Sequence, residues 1–304
     1  MSARAVKQPP HPSTFETYVR CKDHLVSGEN FDLLLDDNLD LLMTSPKPSA
    51  AALPSYYQSQ AYISHTDAKK SLVDHVYQKV RKHTLQQKVK LIESFHSEEK
   101  KILDVGAGTG DFLKACADKG WQVTGIEPNS KARALASNKF PNEQAVFFED
   151  MESLKKKDGV FLGFDVIALW HVLEHVPNLD EMIFNLKKLL KPEGTLLVAV
   201  PNFKSFDAIH YKTFWAAYDV PRHLWHFSQT AIRRLFFFQN MEVQQTLPMK
   251  FDAFYVALLS EQYKKAKLKF LKALWIGFLS NWKAKRTKEY SSLVFVIKNA
   301  KKWF

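Results

Sequence analysis

Asp104-Val105-Gly106-Ala107-Gly108-Thr109-Gly110 joins two unlike patterns. Before the glycines, Lys101-Ile102-Leu103-Asp104-Val105 is a short apolar run of the kind buried inside a sheet. After them, Asp111 to Lys119 has helical spacing and is closed by Gly120, a helix-stop residue. A strand that turns through glycines into a helix lets the backbone approach a ligand at the carboxyl end of a sheet. A dinucleotide-binding turn would carry its third glycine where this chain has Asp111. That carboxylate suits a helix N-terminus but opposes a pyrophosphate, which disfavours an NAD-dependent oxidoreductase.

Outward from the turn, strand and helix patterns alternate. Gln122–Ile126, Ala145–Phe148, Phe164–Trp170 and Thr195–Val200 read as strands, and Ser130–Asn138 and Asp180–Leu190 as helices. Upstream, Asp67 to Phe95 has helical spacing, as one helix or two divided near His83-Thr84. The alternation predicts an α/β fold with a mostly parallel sheet covered by helices on both faces. After Pro201, residues 203–228 are aromatic-rich and irregular. A helix over 230–238, a strand over 243–247, a helical insertion over 252–288 and a strand over 291–297 follow. Residues 1–66 are expected to be an irregular N-terminal segment, and residues 67–304 the main domain.

Five segments in order resemble class I S-adenosylmethionine-dependent methyltransferases. Asp104 to Gly110 is similar to their first motif, and Gly125-Ile126-Glu127-Pro128 to their acidic second-strand motif. Glu149-Asp150-Met151 is similar to the motif after strand three, and Phe164 to Val176 to the fourth-strand segment of the small-molecule branch. Leu190-Lys-Pro-Glu-Gly-Thr195 with Pro201-Asn202 matches the turn and end of strand five. The resemblance implies a Rossmann-like domain with a seven-stranded sheet, and S-adenosylmethionine as cofactor with S-adenosylhomocysteine as product. It implies that Gly106, Ala107, Gly108 and Gly110 line the methionine part and that Asp104 orients the loop or meets the amino group. Glu127, beside Pro128, would accept from the ribose hydroxyls; Asp150 would accept from the adenine amino group, with Met151 against the ring. Trp170 and His171 would sit beside the methyl.

Methyl transfer is mainly a matter of positioning, helped by a general base when the acceptor is a hydroxyl. His171, at the end of the fourth strand, and His226, in the 203–228 segment that the resemblance implies is a cap over the substrate, are the alternative bases. Arg222-His223-Leu-Trp-His226-Phe-Ser228 resembles an element of sugar, lipid and quinone methyltransferases, which implies that Arg222 and His223 meet an anionic part of the substrate. No Asn/Asp-Pro-Pro-Tyr/Phe motif follows strand four, where Leu169-Trp-His-Val172 stands instead, so methylation of nucleic-acid bases is disfavoured. The expected acceptor is a small molecule: a glycan, a lipid-linked compound or a quinone-like one. A cofactor-binding scaffold without turnover, docked on a membrane or RNA, is the other reading.

Hydrophobic residues make up 46% of the 304, enough for a sizeable core. The net charge of +11 favours anionic partners. Two isolated cysteines, Cys21 and Cys116, argue against a disulfide framework, and neither an apolar leader nor a run of 18 apolar residues is visible. The expected location is the cytoplasm. Cys21-Lys-Asp-His24 has the spacing of half a zinc site, but Asp36-Asp-Asn-Leu39 stands where the second pair would fall, so a degenerate ribbon or lid without metal is expected. Lys264 to Lys288 holds nine Lys/Arg and no Asp/Glu, with Leu271, Leu274, Trp275, Phe278 and Trp282 at helical spacing. That pattern suits peripheral contact with a membrane.

Overall fold

Strands, not an irregular segment, occupy the N-terminal part. Phe15–Lys22 (β1), Asn30–Asp36 (β2) and Leu41–Ser45 (β3) form an antiparallel meander. Apolar residues alternate through β2, burying Phe31 and Leu33, but short strands with acidic residues between them hide that period. Asp36 closes the turn into β3 by accepting from Leu39 N at 3.0 Å, so Asp36-Asp-Asn-Leu39 is a hairpin turn. The computed structural model describes residues 15–49, 51–57, 72–95, 97, 99–140, 145–156 and 163–301. The tail at residues 1–12 and the expected helix start at Asp67 lie outside them.

The main sheet has Lys101–Val105 (β4) near its centre. Beside it lie Gln122–Ile126 (β5), Ala145–Phe148 (β6), Phe164–Trp170 (β7) and Leu190–Pro201 (β8). Trp225–His226 (β9) joins the N-terminal meander through β3. Met241–Pro248 (β10) and Ser292–Asn299 (β11) complete a seven-stranded sheet of order β10-β11-β8-β7-β4-β5-β6. β11 pairs antiparallel with both neighbours, and β8-β7-β4-β5-β6 is parallel throughout. This is the expected α/β architecture, with β8 and β10 longer than expected.

Leu72–Glu93 (α1) is one unbroken helix, without the expected division near His83. It packs with Asp111–Ala117 (α2) on one face of the sheet, where Val89, Ile92, Leu113 and Cys116 meet Ile102 and Val166. Ser130–Ser137 (α3) and Met151–Lys156 (α4) flank β6. Leu179–Leu189 (α5) covers the opposite face with Ile183 and Leu186. Asn129 and Asn178 cap α3 and α5 by accepting backbone N–H groups, which fixes where both helices start.

Phe206–Tyr211 (α6) lies in the 203–228 segment, and Gln229–Phe238 (α7) adds Ile232 and Phe236 to the core under α5. The insertion is two helices, Asp252–Tyr263 (α8) and Lys269–Thr287 (α9). The chain breaks between them where Lys265 and Leu268 take left-handed backbone angles. A second core forms where α8, α9 and the segment around Trp215 meet the meander. Neighbouring leucines of β3 face opposite ways, Leu41 into the main core and Leu42 into the second, so the meander is wedged between them.

Candidate functional site

The glycine turn ends β4 at the carboxyl edge of the sheet. Gly106, Gly108 and Gly110 all have positive φ, at 77°, 53° and 77°. The N–H groups of Gly106 and Ala107 both donate to Ile126 O, at 2.7 and 2.9 Å, tying the loop to β5. A Cβ on Gly106 would lie 2.5 Å from Val172 Cγ2, and one on Gly110 2.9 Å from Ala136 Cβ. Around Gly108 no described residue comes within 4 Å of the Cβ position. Two of the glycines are therefore forced by packing as well as backbone angle, and the third faces room for a ligand.

Glu127 leaves β5 beside that opening. Its carboxylate accepts from Gly108 N at 2.8 Å and from Asn129 N at 2.8 Å. An ionised carboxylate has about four lone-pair sites, so acceptor capacity remains for other donors. Pro128 is exposed next to it. Asp150, also exposed, accepts from Ser153 N at 2.7 Å and so caps α4, while Met151 packs against the main core.

Asp104 lies under the loop, 3% exposed, between Gly125 and Ala168 of the adjoining strands. Its Oδ1 has no hydrogen-bond partner among the described residues. Burial pushes its carboxyl up to about 8, with Lys88 opposing the rise and Glu127 adding to it. Lys88, on α1, reaches in until its Nζ is 4.2 Å from the centre of the Trp170 ring. Burial holds its ammonium below the ordinary lysine range, against the pull of Asp104 and Asp252. Trp170 is braced edge-on by Phe112 at 5.5 Å, and its Nε1 is buried without an acceptor among the described residues. Two orphaned polar atoms, an open turn and a half-exposed carboxylate fit a ligand that carries an ammonium group, a diol and further polar atoms, as S-adenosylmethionine does.

His171 follows Trp170 with φ 58°. Its Nε2 is 3.2 Å from Asp252 Oδ2, and its Nδ1 is 3.4 Å from Glu174 Oε1. Burial opposes a charge on the ring, but the two carboxylates prevail and raise it to about 9. Near neutral pH His171 is therefore an imidazolium. His226 is the opposite case. Its Nε2 meets Thr44 Oγ1 at 3.1 Å, and that hydroxyl already donates to His223 O at 2.6 Å. Nε2 must be the donor, so Nδ1 carries the lone pair. Burial, with some help from His223, holds His226 well below the usual histidine range. Thus His171 occupies the expected base position in the charged form, and His226 is neutral but buried on β9.

Arg222 is 1% exposed. Its guanidinium meets Asp219 Oδ1 at 2.7 Å, Asp23 Oδ1 at 3.0 Å and Tyr56 O at 3.0 Å. The expected contact with a substrate anion is replaced by an internal one, because two carboxylates already neutralise the charge. Asp23 also binds the N–H groups of Leu25, Val26 and Ser27. The segment that suggested a zinc half-site is a docking point for Arg222, with Cys21 buried and His24 stacked on Tyr263 at 4.4 Å.

His223 donates Nδ1–H to Ala217 O at 2.8 Å, and His175 donates Nδ1–H to Arg222 O at 3.0 Å. In its neutral form each ring has its lone pair on Nε2. Glu174, 1% exposed, has the 3.4 Å ion pair with His171 on Oε1 but no close hydrogen bond on either carboxylate oxygen among the described residues. Ligand atoms of Glu174, His175 and His223 lie within 4.8 Å of one another. No metal is expected from the sequence, yet this donor set has the chemistry to hold a divalent cation. Lys88, Asp252 and Glu174 escaped the sequence reading as site residues; for Asp252, no local motif points to a partner so far upstream.

A family model described as a methyltransferase domain matches residues 77–246. The ubiquinone biosynthesis O-methyltransferase of Coxiella burnetii is 34% identical over 122 residues, covering 39% of this chain and 50% of that protein. That of Histophilus somni is 38% identical over 117 residues, covering 36% of this chain and 48% of that protein. The chain thus spans about half the length of the curated relatives it matches. The magnesium protoporphyrin IX methyltransferase of Synechocystis, solved with bound S-adenosylhomocysteine, superposes with a TM-score of 0.53 at 15% identity. That likeness covers 83% of this chain and 100% of the other, and concerns the fold.

Proposed function

The chain belongs to the methyltransferase-domain family, and on that basis we propose that it moves a methyl group from S-adenosylmethionine to an oxygen of a small-molecule acceptor. Glycans, lipid-linked compounds and quinone-like compounds are the candidate acceptors. The observation that carries the proposal is the buried Oδ1 of Asp104, unpartnered among the described residues, beneath the turn that they leave open at Gly108. The curated relatives named as ubiquinone biosynthesis O-methyltransferases support an oxygen acceptor.

The bound cofactor supplies an electrophilic sulfonium methyl for in-line displacement. The chain supplies position. Glu127 holds the ribose through oxygens already aligned by Gly108 N and Asn129 N. Asp104, once beside an ammonium, ionises and binds it, giving up the proton that burial holds on it. Lys88, facing Asp104 and lying over Trp170, is placed to meet a carboxylate. Asp150 and Met151 border the adenine end.

On the acceptor side, His171 cannot accept a proton while its ring is charged and held between Asp252 and Glu174. Its positive charge favours an acceptor whose oxygen ionises readily, such as a phenol. His226 is in the protonation state a base needs, and a path to it through the cap would make it the base for a less acidic hydroxyl.

The test is thermal unfolding with S-adenosylhomocysteine, using NAD as control. Ligand at about 100 times its dissociation constant adds roughly 2.7 kcal/mol to the folded state. A rise with S-adenosylhomocysteine alone, followed by transfer of labelled methyl into an acceptor extract, is the expected result. No rise, with calorimetry also silent, would overturn the cofactor assignment and leave a scaffold.

A further inference from the structure

Helix α9 is apolar on two sides, and only one of them packs against described residues. Ala273, Ile276, Gly277, Ser280 and Ala284 are buried. Packing there is close: a Cβ on Gly277 would fall 2.5 Å from Phe254 of α8, and Ser280 Oγ donates to Asp207 Oδ1 at 2.6 Å. The outward side carries Leu271, Leu274, Trp275, Phe278 and Trp282, from 55% to 64% exposed. These five form one stripe at helical spacing, with the rings of Trp275 and Phe278 stacked at 6.2 Å. Leu268, 70% exposed, and Phe270 extend it past the helix start. An apolar stripe of this length is unusual on a surface that faces water alone.

Charge identifies the occupant. Lys265, Lys267, Lys269 and Lys272 cluster about the start of the stripe, and Lys285, Arg286 and Lys288 follow its end, while the Lys264 and Lys283 ammoniums lie over the Tyr211 and Phe206 rings of α6. The ten residues between, Ala273 to Trp282, carry no charge. No acidic residue stands in the first turn of α9, and Lys269 and Lys272 there oppose the helix dipole. Anions at that end would offset the cost. A groove of about 470 Å³ opens beside it, lined by Lys265, Leu268, Lys269 and Phe270, with Glu261 and Gln262 on its α8 side. A second copy of the chain would set basic ends near basic ends and gain no anion. An apolar stripe rimmed by lysines matches a bilayer surface bearing anionic head groups.

We propose that residues 268–282 dock the protein on anionic phospholipid membranes, with α9 lying in the interface plane. No described helix is long and apolar enough to cross a membrane, so the contact is peripheral. α8 connects this surface to the site, because its first residue, Asp252, is the partner of His171. Its 12 residues span roughly 18 Å. A bilayer-held acceptor therefore has a short route to the site. Docking is read without turnover, so it is tested apart from methyl transfer.

The test is co-sedimentation of the full chain with vesicles of phosphatidylcholine alone and with phosphatidylglycerol added, at low and high salt. Binding to the anionic vesicles, weakened by salt, is expected. The double variant Trp275→Ser/Trp282→Ser should lower partitioning by about tenfold or more while unfolding at the parent's temperature, since both rings are exposed. Leu135→Ser, an exposed change on α3, should bind like the parent. Equal binding by the double variant and parent, or no binding by a folded parent, overturns the proposal. So does a parent that fails to bind vesicles but forms a dimer lost in the double variant, which would make the stripe a self-association surface.

Discussion

Replacing Glu127 by Ala isolates the ribose assignment. Both carboxylate oxygens are already engaged, by Gly108 N and Asn129 N at 2.8 Å each, and neither bond has to break for a diol to add. Hydrogen bonds to a charged group contribute about 1.5–3 kcal/mol each. Two ribose hydroxyls would thus lose about 3–6 kcal/mol in a dry site. Glu127 is only half-buried, so solvent screening brings the expected loss to the lower end, about 3 kcal/mol or roughly a hundredfold in affinity. Titration calorimetry with S-adenosylhomocysteine reads it directly. Glu127→Gln, which keeps the shape and one acceptor oxygen, should fall between parent and Ala. Affinities within about threefold of the parent for both variants would refute the assignment, provided both unfold near the parent's temperature.

Three further outcomes follow from the site. Arg222→Met leaves Asp23 buried without its counter-charge, and thermal or urea unfolding should show a loss of about 3–5 kcal/mol, partly recovered by adding Asp23→Asn. An unchanged melting temperature would return Arg222 to the substrate side. His171 has a folded pKa of about 9, above its ordinary value of 6.5. Its carboxylate contacts therefore stabilise fully below about pH 6.5 and are lost as pH rises through about 9. His171→Gln should flatten that alkaline limb in unfolding curves taken across pH, and a limb identical to the parent's would argue against a charged ring. Asp104, held protonated up to about pH 8, should release its proton when an ammonium binds beside it. Calorimetry at pH 7 in buffers of different ionisation enthalpy should show net proton release on cofactor binding, and Asp104→Asn should abolish it.

The parallel sheet was legible because its strands are continuous apolar runs, as burial on both faces requires. The glycine turn was legible because backbone angle and packing leave few other residues possible at Gly106 and Gly110. The N-terminal meander was not, because its period is broken by acidic turns and completed by Trp225 and His226 from a remote segment. His171 was readable as a candidate at the end of a strand, but its protonation state was not: that depends on Asp252, which only the tertiary fold brings near. Arg222 was misjudged for a related reason. A motif gives the side chain, while the carboxylates that bury it lie on the N-terminal meander and in the preceding loop.

β11 follows every other described strand, yet it sits between β8 and β10 in the sheet. During synthesis, β8 leaves the ribosome with one edge unpaired, and that edge stays bare until the α8–α9 hairpin and then β11 have emerged. Through β8 almost every residue from Gly194 to Pro201 is apolar, so the waiting edge is a template for pairing with other chains. Vectorial folding therefore favours a nascent chain shielded by a chaperone until its last strand slots in, and ribosome-stalled chains ending near residue 290 should be the aggregation-prone species.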